Sequence, residues 1–201
     1  MSLEGALSSE VYFLPGKGGS LGAGLGRGIS DRGFEVVGRE TRGAFRELDF
    51  EEKIAVVSHD LKAGFWRDDA LVIANSFGAY LLLHAQLTLP PFPGRVLLLS
   101  PIVGGSADPE SGFLYSPPYA DRVMKATAEG SFPAPRCLEI HVGSEDWQAD
   151  PERVDGFGRR LGGRVVVASG RGHMLGADYV SPVLDRFLGA TVDHGRETSS
   201  F

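Results

Sequence analysis

The sequence predicts an α/β fold: a three-layer sandwich of about six mostly parallel strands with helices on both faces. Three observations carry this. Six short apolar runs recur along the 201 residues, helix-length segments separate them, and each run is apolar at successive positions, so both strand faces are covered. A chain of this length supplies one sizeable core and is short for two. Residues 1–190 are therefore read as a single domain, and the polar stretch 191–201 as a disordered tail.

The run at 11–14 stops at Pro15-Gly16, a buried strand entering a turn. A glycine-rich loop from Lys17 leads into a helix that ends near Gly33, and 34–37 is the second strand. Residues 38–50 read as a loop whose Arg39, Arg42 and Arg46 are solvated. Ile54, Val57, Leu61 and Phe65 recur at helical spacing, which makes 50–65 an amphipathic helix. The apolar run 70–74 is a buried strand, followed after four residues by an Ala- and Leu-rich helix at 79–87. Prolines and a glycine between 90 and 94 break the chain before a strand at 95–100. Residues 101–136 are less regular, with a helical piece at 119–128. Strands at 137–142 and 164–168 flank a helix at 151–161, and 177–188 is a closing helix.

Composition narrows the function. With 42% hydrophobic and 23% charged residues the chain is an ordinary globular one. Twenty basic against 26 acidic residues leave a net charge of −6, without a basic run, which argues against nucleic acid or an anionic membrane as partner. The single cysteine, Cys137, rules out an internal disulfide and fits a reducing compartment. Residues 1–10 lack the basic and apolar regions of a signal peptide, and no apolar run approaches the roughly 20 residues of a membrane span. A cytoplasmic location is expected. No cluster has metal-ligand spacing, so neither metal nor cofactor is expected. The oligomeric state stays open.

The stretch around Asn75-Ser76-Phe77-Gly78 is the informative one. A strand turning directly into a helix brings its own backbone together at the bend, so small residues two before (Ala74) and two after (Gly78) let Ser76 sit at the apex with its hydroxyl exposed. The helix N-terminus just beyond it presents free N–H groups to a developing oxyanion.

In open parallel sheets, ligands bind outside the carboxyl ends of the strands. Three loops meet that condition. After the strand at 137–142 come Asp146 and Asp150, with Glu145 beside them. Asp150 precedes Pro151 and suits a helix cap, which leaves Asp146 to orient a histidine. After the last strand, His173 sits among glycines. His59 and His84 fall in helices, His141 in a strand and His194 in the tail. After the first strand, the loop from Pro15 to Gly19 brings the Lys17 N–H into reach as an oxyanion donor beside that of Phe77. This loop lacks the order of a phosphate-binding or dinucleotide-binding motif. The chain order Ser76, Asp146, His173 is that of a nucleophile, acid and base on this kind of sheet.

Together the elbow, the Gly143-Ser-Glu-Asp146 loop and the Gly172-His173 loop resemble the α/β-hydrolase superfamily. The Pro15-Gly-Lys-Gly-Gly19 loop is similar to that of its small, lidless serine hydrolases, the group related to retinoblastoma-binding protein 9. Ala74 replaces the usual glycine, and Asn75 stands where a histidine or aromatic residue is common. The resemblance covers roughly residues 11–189 and implies an esterase or thioesterase acting through an acyl-enzyme on a small acyl substrate. A histidine base further implies activity that falls below about pH 6 to 7. Phe113, Leu114, Tyr115, Tyr119 and Met124 are candidates for an apolar acyl wall. The competing reading is an interaction or ligand-binding protein on a hydrolase fold with little or no turnover.

Overall fold

A computed structural model describes residues 9–189; the expected tail at 191–201, with His194, lies outside the described residues. Among the described residues, eight strands follow one another: β1 (Glu10–Leu14), β2 (Glu35–Gly38), β3 (Leu71–Asn75), β4 (Arg95–Leu99), β5 (Ser106–Ala107), β6 (Leu114–Tyr115), β7 (Cys137–Gly143) and β8 (Arg164–Ala168). Six of them make a parallel sheet in the order β2-β1-β3-β4-β7-β8, while β5 and β6 form a separate antiparallel hairpin. The helices are α1 (Leu25–Ser30), α2 (Gly43–Glu47), α3 (Phe50–Asp60), α4 (Phe77–Gln86), α5 (Arg122–Ala128), α6 (Pro151–Arg160) and α7 (Ala177–Gly189).

The two-residue period of a strand divides the core. Tyr12, Leu14, Val72, Ala74, Leu98 and Ile140 project to one face, where they pack with residues of α3, α4 and α6. Val11, Phe13, Ile73, Leu97 and Leu99 project to the other, against Ile29 of α1 and Val183, Leu184 and Phe187 of α7. Each fully buried Leu, Ile or Phe contributes about 1.5–3 kcal/mol, so it is the two-sided burial of the central strands that stabilises the sandwich.

Strand order sets the place for a site. The chain passes from β1 to its neighbour β2 on one side, then returns to β3 on the other. Loops leaving the carboxyl ends of β1 and β3 therefore diverge and open a crevice between them. The Lys17 loop and the Ser76 turn leave at that point.

Several local expectations are corrected. Residues 38–50 contain α2, and Asp49 starts α3 with a reciprocal capping box: its carboxylate accepts the Glu52 N–H at 2.7 Å, and Glu52 accepts the Asp49 N–H at 2.9 Å. The Asp-x-x-Glu spacing was a readable signal for that start. The helix at 50–65 loosens into a π-helical turn at Leu61–Phe65, which brings Phe65 against the Tyr12 ring, 5.2 Å between centroids. Nor are all three arginines simply solvated. Arg39 grips Asp60 through two bonds of 2.6 and 2.7 Å, and Arg42 pairs with Glu40 at 2.8 Å.

Candidate active site

Ser76 is both the last residue before α4 and a residue in a sparsely populated backbone region, φ 52° and ψ −118°. A serine at this position ordinarily turns its hydroxyl onto the helix's own N–H groups; here no such capping bond forms. The Oγ points instead at His173 Nε2, 2.7 Å away. Small neighbours permit this turn. A Cβ on Gly78 would lie 2.2 Å from the Leu14 carbonyl oxygen, and one on Gly16 would lie 3.3 Å from the Ser76 Cβ. The loop after β1 is thus pressed against the elbow.

His173 lies between the serine and Asp146. Its Nδ1 is 2.9 Å from each Asp146 carboxylate oxygen. Asp146 is buried, at 1% exposure, and its Oδ1 also accepts the N–H groups of Gln148 and Ala149 at 3.1 and 3.0 Å. A buried carboxylate so held favours the tautomer with the proton on Nδ1, leaving Nε2 to accept from Ser76. Asp150 plays a different part, capping α6 by accepting the Arg153 N–H at 3.2 Å. Glu145 faces solvent and donates its backbone N–H to the Arg171 carbonyl.

Among the described residues, none accepts the backbone N–H of Phe77 or Lys17. Phe77 is the first residue of α4, where helix geometry leaves donors free and the helix dipole favours negative charge. Lys17 stands in a loop secured on its far side by Thr41. The Thr41 hydroxyl donates to the Gly16 carbonyl and accepts the Gly19 N–H, and its backbone carbonyl accepts the Gly18 N–H.

Two supports were not foreseen from the sequence. Ser100, at the end of β4 with φ 44°, donates its hydroxyl to the His173 carbonyl at 2.8 Å. Arg171 joins the histidine loop to α7 through Asp178 and the Leu175 carbonyl. Neither carried a sequence signal, because each partner comes from a different element of the fold or from a bend in the loop.

A cavity of about 360 Å³ adjoins the site on the α1–α7 side of the sheet, with Asn75, Ser100 and His173 in its lining. The residues expected as an acyl wall, Phe113, Leu114, Tyr115, Tyr119 and Met124, do not line this cavity. Phe113 and Leu114 are exposed on the β5–β6 hairpin, Phe113 meeting the edge of Trp147. Tyr119 packs on Phe50 with Arg122 over its ring, and Met124 packs on the core. The hairpin holds Phe113 and Leu114 at the surface, while α5 packs on the core of the α3–α4 face. Among the described residues no three His, Cys, Asp or Glu side chains converge as metal ligands.

With the geometry in place, comparison identifies the architecture. No family model and no curated protein matches this chain. Solved structures do. The monoacylglycerol lipase of Paleococcus ferrophilus superposes with a TM-score of 0.66 at 14% identity, covering 90% of this chain and 94% of that one. A Xanthomonas campestris pv. campestris protein assigned as a hydrolase of the α/β superfamily gives 0.61 at 16%, covering 90% and 99%. The esterase RhEst1 of Rhodococcus sp. gives 0.59 at 12%, covering 90% of each. The fold is the α/β-hydrolase fold.

Proposed function

We propose that the protein is a serine hydrolase that cleaves a carboxylic ester or thioester of a small acyl substrate. The observation that carries this is the uncapped Ser76 hydroxyl, aimed at a histidine that is itself fixed by a buried carboxylate. In the first half-reaction, His173 Nε2 takes the Ser76 proton as Oγ bonds to the substrate carbonyl carbon. Asp146 keeps the imidazole oriented and stabilises the imidazolium. The carbonyl oxygen, now negative, is held by the N–H groups of Phe77 and Lys17, each such donor lowering the barrier by about 3 kcal/mol. The bond to the leaving oxygen or sulfur breaks, and His173 returns the proton to it. Water then repeats the sequence on the acyl-enzyme, releasing the acid and restoring Ser76.

The Pro15–Gly19 loop supports kinship with the small, lidless serine hydrolases related to retinoblastoma-binding protein 9. One exposed, unpaired cysteine, Cys137, fits a cytoplasmic location. The test is hydrolysis of p-nitrophenyl acetate and butyrate by wild type and Ser76→Ala. The substitution should lower kcat/KM by at least about 10⁴-fold with an unchanged circular dichroism spectrum; an active Ser76→Ala would refute the assignment.

A further inference from the structure

We propose that the cavity between α1 and α7 is the acyl-chain site and that it takes an unbranched, uncharged chain of medium length, such as octanoyl. This rests on the hydrolase reading of Ser76 and extends its acyl substrate from short chains to medium ones. The cavity's 360 Å³ sits at the small end of the roughly 300–1,000 Å³ usual for ligand sites, room for a slender chain and little more. It adjoins the reacting centre, since its lining includes Asn75, which directly precedes the nucleophile, and His173, which is hydrogen-bonded to it. Much of the remaining wall is aliphatic: Leu25, Leu99, Leu175, Val180 and Leu184. Each methylene buried there favours binding about fourfold.

Gly28 is the second independent observation. Its neighbour in α1, Gly26, has a steric reason to be glycine, because a Cβ there would lie 2.0 Å from the Leu21 carbonyl oxygen. Gly28 has none. Its φ is not positive, and a Cβ would make ordinary contacts of 3.6 Å with Leu184 and 3.7 Å with Arg32. Alanine would make the better helix. What the missing side chain provides is open space between α1 and α7, on the cavity wall.

Arg32 closes the far end. Its Nε donates to Asp185 at 2.7 Å, Nη1 to the Gly28 carbonyl at 2.7 Å, and Nη2 to Ser181 Oγ and the Ser181 carbonyl at 2.7 and 3.0 Å. Each arm of the guanidinium is engaged between the two helices. In this assignment it acts as a stop for the chain end, with four of its five N–H groups already engaged. Met174, largely exposed, flanks the opposite end beside His173.

The experiment measures kcat/KM for p-nitrophenyl acetate, octanoate and laurate on wild type, Gly28→Leu, Val180→Phe and Arg32→Ala, with thermal melts and fluorophosphonate labelling of each. Wild type should prefer octanoate to both other esters. The two filling substitutions should lower the octanoate-to-acetate ratio about tenfold or more. Arg32→Ala, by opening the stop, should raise the laurate-to-octanoate ratio, a gain that damage to the fold would not produce. If acetate is cleaved and Ser76 is labelled, but both filling variants keep the octanoate-to-acetate ratio within about twofold of wild type, the acyl-site assignment is wrong and the hydrolase reading stands. If no ester is cleaved and Ser76 is not labelled, the hydrolase reading fails and this assignment fails with it.

Discussion

Ser76 shows at a single residue how a fold sets aside stability for a reactive geometry. A non-glycine residue at φ 52° costs on the order of 1–3 kcal/mol, and the hydroxyl that would recover some of this by capping α4 is held away from it. Ser76→Gly should therefore unfold at higher urea concentration than wild type, by about 1 kcal/mol, while losing all esterase activity. Equal or lower stability would show that the turn is unstrained. Asp146→Asn tests the next link. An asparagine there can turn its amide N–H toward His173 Nδ1, which stabilises the wrong tautomer, so kcat should fall by about 10³–10⁴ with KM nearly unchanged. Ser100→Ala removes only the donor to the His173 carbonyl; about a tenfold loss in kcat, with Ser76 still open to labelling, is the expected size for one lost hydrogen bond to a catalytic loop.

At the level of elements, the loops meet through glycines. A Cβ on Gly143 would lie 2.1 Å from the Arg171 carbonyl oxygen and 2.5 Å from that of Gly172. Gly143→Ala must push the histidine loop outward, and a displacement near 1 Å at His173 lowers kcat about 100-fold, measurable beside a control such as Gly189→Ala, which meets open space. The six sheet strands were legible because burial on two faces leaves an unbroken apolar run, and Ser76, Asp146 and His173 because loops at strand ends carry few other demands. The β5–β6 hairpin was not legible: two residues on each strand give no periodicity. The π-helical turn at Leu61–Phe65 keeps a helical apolar spacing and differs only in its backbone hydrogen bonds. Ser100 and Thr41 act on residues 73 and 25 positions away, a separation that no local pattern encodes. Nor could the sequence say which side of the sheet Phe113, Leu114, Tyr115, Tyr119 and Met124 would cover, since aromatic content marks apolar surface without placing it.

Across the whole molecule, α7 is the element that closes the sandwich, and one charged cluster holds it to the sheet. Glu139 of β7 accepts from His141 Nε2 at 2.7 Å, from Arg164 at 3.4 Å and from Arg186 of α7, while His141 Nδ1 lies 2.7 Å from the Tyr179 hydroxyl. The hydrogen bond from His141, with the hydrogen bond and charge of Arg186, outweighs burial and draws the Glu139 carboxyl from its ordinary 4.5 down to about 2. A carboxylate whose folded value is depressed stabilises the fold above its unfolded value and loses that contribution as pH falls toward the folded one. Glu139→Gln should thus be destabilising at neutral pH, by on the order of 1–2 kcal/mol after solvent screening, and the gap from wild type should shrink between pH 4.5 and about 2. A gap independent of pH would remove the charge from this account. Because α7 also walls the cavity beside His173, its attachment would bear on substrate as well as on stability if the proposed acyl site is right.

The central claim is that Ser76 is an activated nucleophile, and the most direct measurement is mass-spectrometric mapping of the intact protein after reaction with a fluorophosphonate. The account predicts one phosphonyl group, carried on Ser76 in wild type and absent from His173→Ala. No adduct on Ser76, or the same rate of labelling without His173, would contradict it.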